Sequence, residues 1–336
     1  MSTKINNLPW TEQYRPRILS NIVEQDDIIS VLTSSIKLDN LPHLLFHGPP
    51  GSGKTTTILA LARQLFGPEL FAERVLELNA SDDRGIQVVR ETIKTFAQIS
   101  IKTPNNTDYP YPPFKLVILD EADAMTDDSQ FALRRIIEDN SLTTRFCLIC
   151  NYITRIIEPL SSRCIKFKFK PINQQSMEKI IGKICLKEQI ECSRLVMDKL
   201  YEVSNGDLRK AITFLQKTYY IDNKRLTLES LYNIIGLIPI DFIITIINKL
   251  KKNVTYEQLK LMCLNILSDG YVIINFIEKF LIGIINDTSI PDKQKGLISF
   301  KCANINIALI NGSDEYLQLL TILAYTKEVL HNNYIL

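Results

Sequence analysis

Residues 48–56 read Gly48-Pro49-Pro50-Gly51-Ser52-Gly53-Lys54-Thr55-Thr56, a match to GxxxxGK[ST] between an apolar run, His43–His47, and a helical pattern, Thr55–Phe66. Strand, glycine loop and helix start are the context that this motif requires. The glycines let successive backbone N–H groups turn toward phosphate at a helix N-terminus, where the dipole favours negative charge. Lys54 brings a point charge for the β and γ phosphates of a nucleoside triphosphate, and Thr55 a hydroxyl for Mg²⁺. A glycine-rich turn with no ligand is the competing reading, and it explains neither the lysine nor the hydroxyl.

Outward from the loop, strand-like runs alternate with helical patterns as far as Pro171. Arg74–Leu78, Lys115–Leu119, Phe146–Cys150 and Cys164–Phe169 read as further strands, with helices over 86–99 and 130–140. Lys115–Leu119 is continuously apolar, as a strand buried on both faces should be. The alternation predicts an α/β fold, a parallel sheet with helices on both faces. Residues 102–113 (KTPNNTDYPYPP) predict a surface loop. After Pro171 the strand pattern stops, and a small helical unit over 172–235 precedes a second over 236–336. In the latter, Phe242, Ile243, Ile246, Ile247 and Leu250 repeat as one helix face.

Leu116-Val-Ile-Leu-Asp120-Glu121 puts two carboxylates at the carboxyl end of a buried strand, where ligands sit on open parallel sheets. Asp120 is placed to hold Mg²⁺ and Glu121 to polarise an attacking water. Asp120–Asp123 spells DEAD, which raises an RNA helicase, but those carry two recA-like domains and here the second half is helical. Asn151 ends the fourth strand; its amide reads as a group that orients the attacking water or contacts the γ phosphate, or as a plain helix or turn cap. Arg163, after a short helix at 156–160, reads as a group reaching a neighbour's nucleotide or as a solvated surface arginine. Arg209 follows the turn and cap Gly206-Asp207, and folds over the γ phosphate or simply faces water.

The 336 residues exceed what one core usually organises. Hydrophobic residues at 46% and charged residues at 23% fit a folded chain and exclude a disordered one. A net charge of +2 excludes a whole-molecule basic field, so nucleic acid would be met by a local patch. The first ten residues lack the apolar core of a signal peptide, and 270–287 is interrupted by Asn275, Glu278 and Lys279, so it reads as a buried helix. Seven scattered cysteines point to a reducing compartment. Cys147 and Cys150 have metal-site spacing, but on a strand they face opposite sides, so no metal site is assigned to them.

These motifs together resemble the AAA+ ATPases and, within them, the small subunits of replication factor C, the sliding-clamp loader. Ser162-Arg163-Cys164 is similar to that family's arginine-finger motif. Trp10-Thr-Glu-Gln13-Tyr14-Arg15-Pro16 is similar to its opening box, with Gln13 where lysine is usual. The likeness runs on through 78–86, 144–152, 206–211, Asn311-Gly312 and 317–320, nearly the whole chain. The resemblance implies that Tyr14, Arg15, Pro16 and Val23 surround adenine, that Asn151 is sensor 1 and Arg209 sensor 2, and that Arg163 acts in the adjacent subunit's site. It implies an ATPase core over 1–171, a helical lid over 172–235 and an all-helical collar over 236–336 that joins four other subunits. ATP with Mg²⁺ as cofactor, the ring-shaped clamp PCNA, primer–template DNA and a nuclear location follow from it in the same way. Clamp opening follows ATP binding, and hydrolysis releases the clamp on DNA.

Gln87, Arg90, Lys94 and Gln98 share one polar helix face, with Arg84 at its start, and Arg134 and Arg135 lie on the next helix. From charge alone an ordinary solvated face is favoured; clamp-loader helices at these positions line the DNA channel, and the resemblance turns the reading to phosphate contact. A catalytically silent ATP-binding scaffold is disfavoured because Lys54 and Glu121 are both present. A Holliday-junction or protein-unfolding motor is disfavoured by Ser162-Arg163-Cys164 and the collar-like third part.

Overall fold

The computed structural model describes residues 8–38, 40–80, 86–99, 101, 109–221, 225–236, 238–252 and 254–331. The chain forms two compact units, residues 1–226 and 227–336. In the first, α1 (Trp10–Gln13) and α2 (Asp26–Lys37) precede β1 (Leu44–His47), α3 (Lys54–Arg74), β2 (Val75–Asn79) and α4 (Ile86–Gln98). Then come β3 (Lys115–Asp120), α5 (Asp127–Asp139), β4 (Thr144–Cys150), α6 (Glu158–Ser161) and β5 (Ile165–Lys168). The five strands form a wholly parallel sheet in the order β2-β3-β4-β1-β5.

The pleat sorts the apolar strands onto two cores. Leu44, Phe46, Leu116, Ile118, Cys147 and Ile149 pack with Leu32 of α2 and Ile58 and Phe66 of α3. Leu45, Val117, Leu119, Phe146, Leu148 and Cys150 pack on the other face with Ile93 of α4 and Leu133 and Ile137 of α5. The central strands are therefore buried on both sides, as their unbroken apolar runs predict. Cys147 and Cys150 fall on opposite faces. α3 holds helical geometry only to Phe66; Gly67 (φ 60°), ahead of Pro68, breaks it before a second segment runs to Arg74.

Lys115, 1% exposed at the start of β3, donates from Nζ to the carbonyls of Phe96 and Ile99. It thereby supplies a charged donor to carbonyls at the end of α4. Burial, and then the Arg74 guanidinium, push its ammonium pKa down. A helical group, α7 (Gln174–Glu188), α8 (Arg194–Ser204) and α9 (Leu208–Ile221), completes the unit, with a two-residue parallel pairing of Glu191–Cys192 and Arg225–Leu226.

The second unit is helical: α10 (Leu228–Ile235), α11 (Ile240–Lys251), α12 (Tyr256–Ser268), α13 (Ile273–Asn286), α14 (Asp292–Ile310) and α15 (Glu315–Leu330). Ile243, Ile246, Ile247 and Leu250 of α11 are buried with Phe276, Phe280 and Ile284 of α13 and Leu319, Ile322 and Leu323 of α15. A Cβ on Gly283 would stand 2.8 Å from Ile247 Cδ1, so the absent side chain lets α11 and α13 approach. Among the described residues, no helix is long and apolar enough to cross a membrane.

Candidate active site

The phosphate loop leaves β1 and closes on Gly53, which caps α3 in left-handed conformation. Above it lies a cleft of about 970 Å³, formed wholly within the first unit and large enough for a nucleotide. Pro50, Gly51, Ser52, Gly53, Lys54, Thr55 and Thr56 line its floor, beside Asp120, Glu121 and Asn151. Tyr14, Arg15, Pro16 and Val23 also line the cleft, and Arg209 comes from α9. Gly48 and Pro49 stand behind the floor: their carbonyls accept from Lys54 Nζ at 2.7 and 2.9 Å.

The sheet order brings the polar residues together, because β3 and β1 both flank β4. Lys54 is 7% exposed, and its Nζ also donates to Asn151 Oδ1 at 3.0 Å. Burial pulls its pKa down, against the opposing pull of Asp120. Thr55 Oγ1 donates to Asp120 Oδ2 at 2.7 Å. That hydroxyl–carboxylate pair is a set of hard oxygen donors suited to Mg²⁺, and Lys54 sits where triphosphate oxygens would replace its loop carbonyls. Glu121 has a left-handed backbone (φ 55°, ψ 37°), an uncommon geometry for a non-glycine residue that is often found at functional sites. It turns the chain at the strand end and leaves Glu121 exposed beside the cleft.

Further side-chain contacts hold this arrangement. Asp123 Oδ2 accepts the backbone N–H groups of Asn151 (3.1 Å) and Tyr152 (3.0 Å), fixing the end of β4 against the turn after β3. Asp207, 7% exposed, caps α9 by accepting from Lys210 N at 3.1 Å. A Cβ on Gly51 (φ 69°) would fall 1.9 Å from Asp207 Oδ1, so the loop and the helical group touch at a place only glycine permits. Tyr14 Oη donates to Glu188 of α7, and Trp10 N donates to Gln216 Oε1 of α9 at 3.1 Å. Burial and the Glu188 carboxylate both push the Tyr14 phenol pKa up. Gln25 Nε2 donates to Lys170 O and Ser176 Oγ to Glu24 Oε1, at 2.9 and 2.7 Å. The pairs at Tyr14, Trp10, Gln25 and Glu24 span 145–206 residues, beyond any local sequence pattern.

Arg163 lies outside the cleft, on the turn after α6, with its side chain about one-third exposed. Lys94 and Arg135 are exposed, and Arg134 is partly covered and paired with Glu138. Arg84 and the Arg90 side chain lie outside the described residues.

Residues 44–172 match the family described as "ATPase family associated with various cellular activities (AAA)". Residues 179–219 match the "RCF1/5-like, AAA+ ATPase lid domain" and 238–325 the "Replication factor C C-terminal domain". Replication factor C subunit 2 of Oryza sativa subsp. japonica is 46% identical, over 96% of this chain and 95% of that protein. Replication factor C subunit 4 of Homo sapiens is 45% identical over 98% and 91%, and subunit 2 of Saccharomyces cerevisiae 42% over 96% and 93%. The Thermotoga maritima RuvB Holliday junction branch migration motor superposes with TM-score 0.52 at 16% identity, over 70% of this chain and 78% of that one, a likeness of fold alone. Family matches along the length of the chain and near-full-length relatives agree with the cleft: the chain belongs to the replication factor C small-subunit family, AAA+ ATPase components of the clamp loader of DNA replication.

Proposed function

We propose that this chain binds ATP in the cleft above Lys54 and hydrolyses it within a five-subunit clamp loader that opens PCNA and places it on primer–template DNA in the nucleus. In this reading the core spans 1–171, the lid 172–235 and the collar 236–336. The observation that carries the proposal is the convergence of Lys54, Thr55, Asp120 and Asn151, linked pairwise at 2.7–3.0 Å at the ends of three adjacent elements.

Loop N–H groups and Lys54 bind the phosphates, and the ring of Tyr14 with Pro16 and Val23 encloses the base. Mg²⁺ held by Thr55 and Asp120 would offset phosphate charge. Glu121 takes a proton from the water that attacks the γ phosphorus as the bond to the β-phosphate oxygen breaks. Asn151 orients that water, and Arg209 closes over the γ phosphate from the lid. Arg163 stabilises the charge developing at the adjacent subunit's γ phosphate. Exposed Ile240, Leu261, Phe300, Ile307 and Ile310 on the second unit supply apolar surface for joining partners.

Arg163→Ala, assembled with wild-type partners, tests the reading. Nucleotide affinity at this chain's own site should hold, while turnover at the neighbouring site falls by ~10³ or more, blunted in whole-complex rates by the remaining sites. Unchanged hydrolysis and clamp loading would make Arg163 a surface residue. Loss of its own ATP binding would place it in cis.

A further inference from the structure

Arg163 is held at the surface by its own chain. Its Nη2 lies 2.5 Å from Glu138 Oε1, and its Nη1 donates to the Pro159 carbonyl. The same Oε1 accepts from Arg134 Nε at 3.1 Å. One carboxylate oxygen therefore serves two guanidinium groups, one on the finger turn and one on α5.

Helix stability does not explain Glu138. It stands in the last turn of α5, where the helix dipole disfavours a negative charge. An Arg placed four residues N-terminal to a Glu is also the weaker order for such a pair. The two guanidinium groups, the Arg134 hydrogen bond foremost, hold the carboxyl below its ordinary pKa. A long, flexible arginine that must meet a neighbour's phosphate benefits from a fixed anion at its root, because fewer rotamers then compete with the productive one.

We propose that Glu138 is a positioning residue for Arg163, and that Arg134 competes for the same oxygen. When Arg134 turns to an external phosphate of a nucleic-acid backbone, Glu138 is left wholly to Arg163. Phosphate contact on α5 thereby stiffens the arginine that acts in trans, and hydrolysis next door rises. The inference rests on the proposed roles of Arg163 and Arg134, and it supplies a route between them that needs no movement of the sheet.

A double-mutant cycle in the complex assembled with wild-type partners tests it, with ATP hydrolysis measured with and without primer–template DNA. Glu138→Gln keeps the shape and removes the charge. DNA-stimulated kcat should fall roughly two- to fivefold, the range of a partly exposed ion pair, with KM for ATP unchanged. The substitution should add nothing to Arg163→Ala. Arg134→Ala should raise hydrolysis without DNA and narrow the stimulation by DNA, and Glu138→Gln should abolish that rise. A normal or faster kcat in Glu138→Gln would overturn the inference, as would an effect that persists on the Arg163→Ala background. If Arg163→Ala alone leaves hydrolysis intact, the trans-acting reading fails first and the positioning role falls with it.

Discussion

Replacing Asp123 by alanine removes a single carboxylate oxygen that two backbone N–H groups share, at 3.1 and 3.0 Å. Hydrogen bonds to a charged acceptor contribute about 1.5–3 kcal/mol each when buried, and these lie toward solvent, so the pair amounts to roughly 2–3 kcal/mol. For a unit of this size that lowers the melting temperature by about 4–12 °C. The catalytic consequence should be larger. Those N–H groups belong to Asn151 and Tyr152, and Asn151 Oδ1 is the partner of Lys54 Nζ at 3.0 Å. Once the end of β4 drifts, Asn151 no longer fixes Lys54 or, in the mechanism proposed above, the attacking water, and a misplacement near 1 Å lowers turnover by roughly 10²-fold. ATP affinity should change little, because the glycine loop and Lys54 remain. Asp123→Asn keeps an oxygen able to accept both N–H groups and should fall between the two. Thermal scans, fluorescent-nucleotide binding and hydrolysis by the assembled complex read the three effects separately. Asp123→Ala with normal melting and normal kcat would refute the claim that this carboxylate aligns the strand ends.

Lys54→Ala should abolish most ATP binding, whereas Glu121→Gln should spare binding and stop turnover; nucleotide titration and single-turnover hydrolysis separate the two, and a Glu121→Gln site that still turns over normally would remove Glu121 as the base. His43 Nδ1 accepts the Phe146 N–H at 3.2 Å, and burial, then Arg145, lower its pKa from 6.5 to about 4. The unfolded chain therefore binds the proton first as pH falls, and stability present above pH 6.5 should be lost between 6.5 and 4, about 2 kcal/mol of it between pH 7 and pH 5. Urea midpoints for wild type and His43→Asn test this, since the variant should lose that slope. Replacing Lys94 and Arg135 together should lower the slope of log DNA affinity against log salt by roughly two, with little sequence dependence; an unchanged slope would leave both as solvated side chains.

What was legible in the sequence divides along a physical line. β3 could be read because a strand covered on both faces must be apolar throughout, and the phosphate loop because its chemistry is confined to nine consecutive residues. α5 begins at Asp127, three residues before the apolar repeat suggests, where Thr126 and two aspartates make an ordinary helix start. Periodicity finds the buried face, and the polar first turn has none. Asp207 is legible as a helix cap because its partner, Lys210 N, lies three residues on, whereas the roles of Asp123, Glu188 and Glu138 are not legible, because each acts on a partner brought near by topology. Asp123 matters only because β4 lies beside β3, and Glu138 only because α6 returns to the end of α5. A family motif names the group that touches the phosphate. The carboxylate behind such a group can be an unremarkable residue in a helix's last turn, and the proposal for Glu138 comes only from finding its oxygen bound to Arg163.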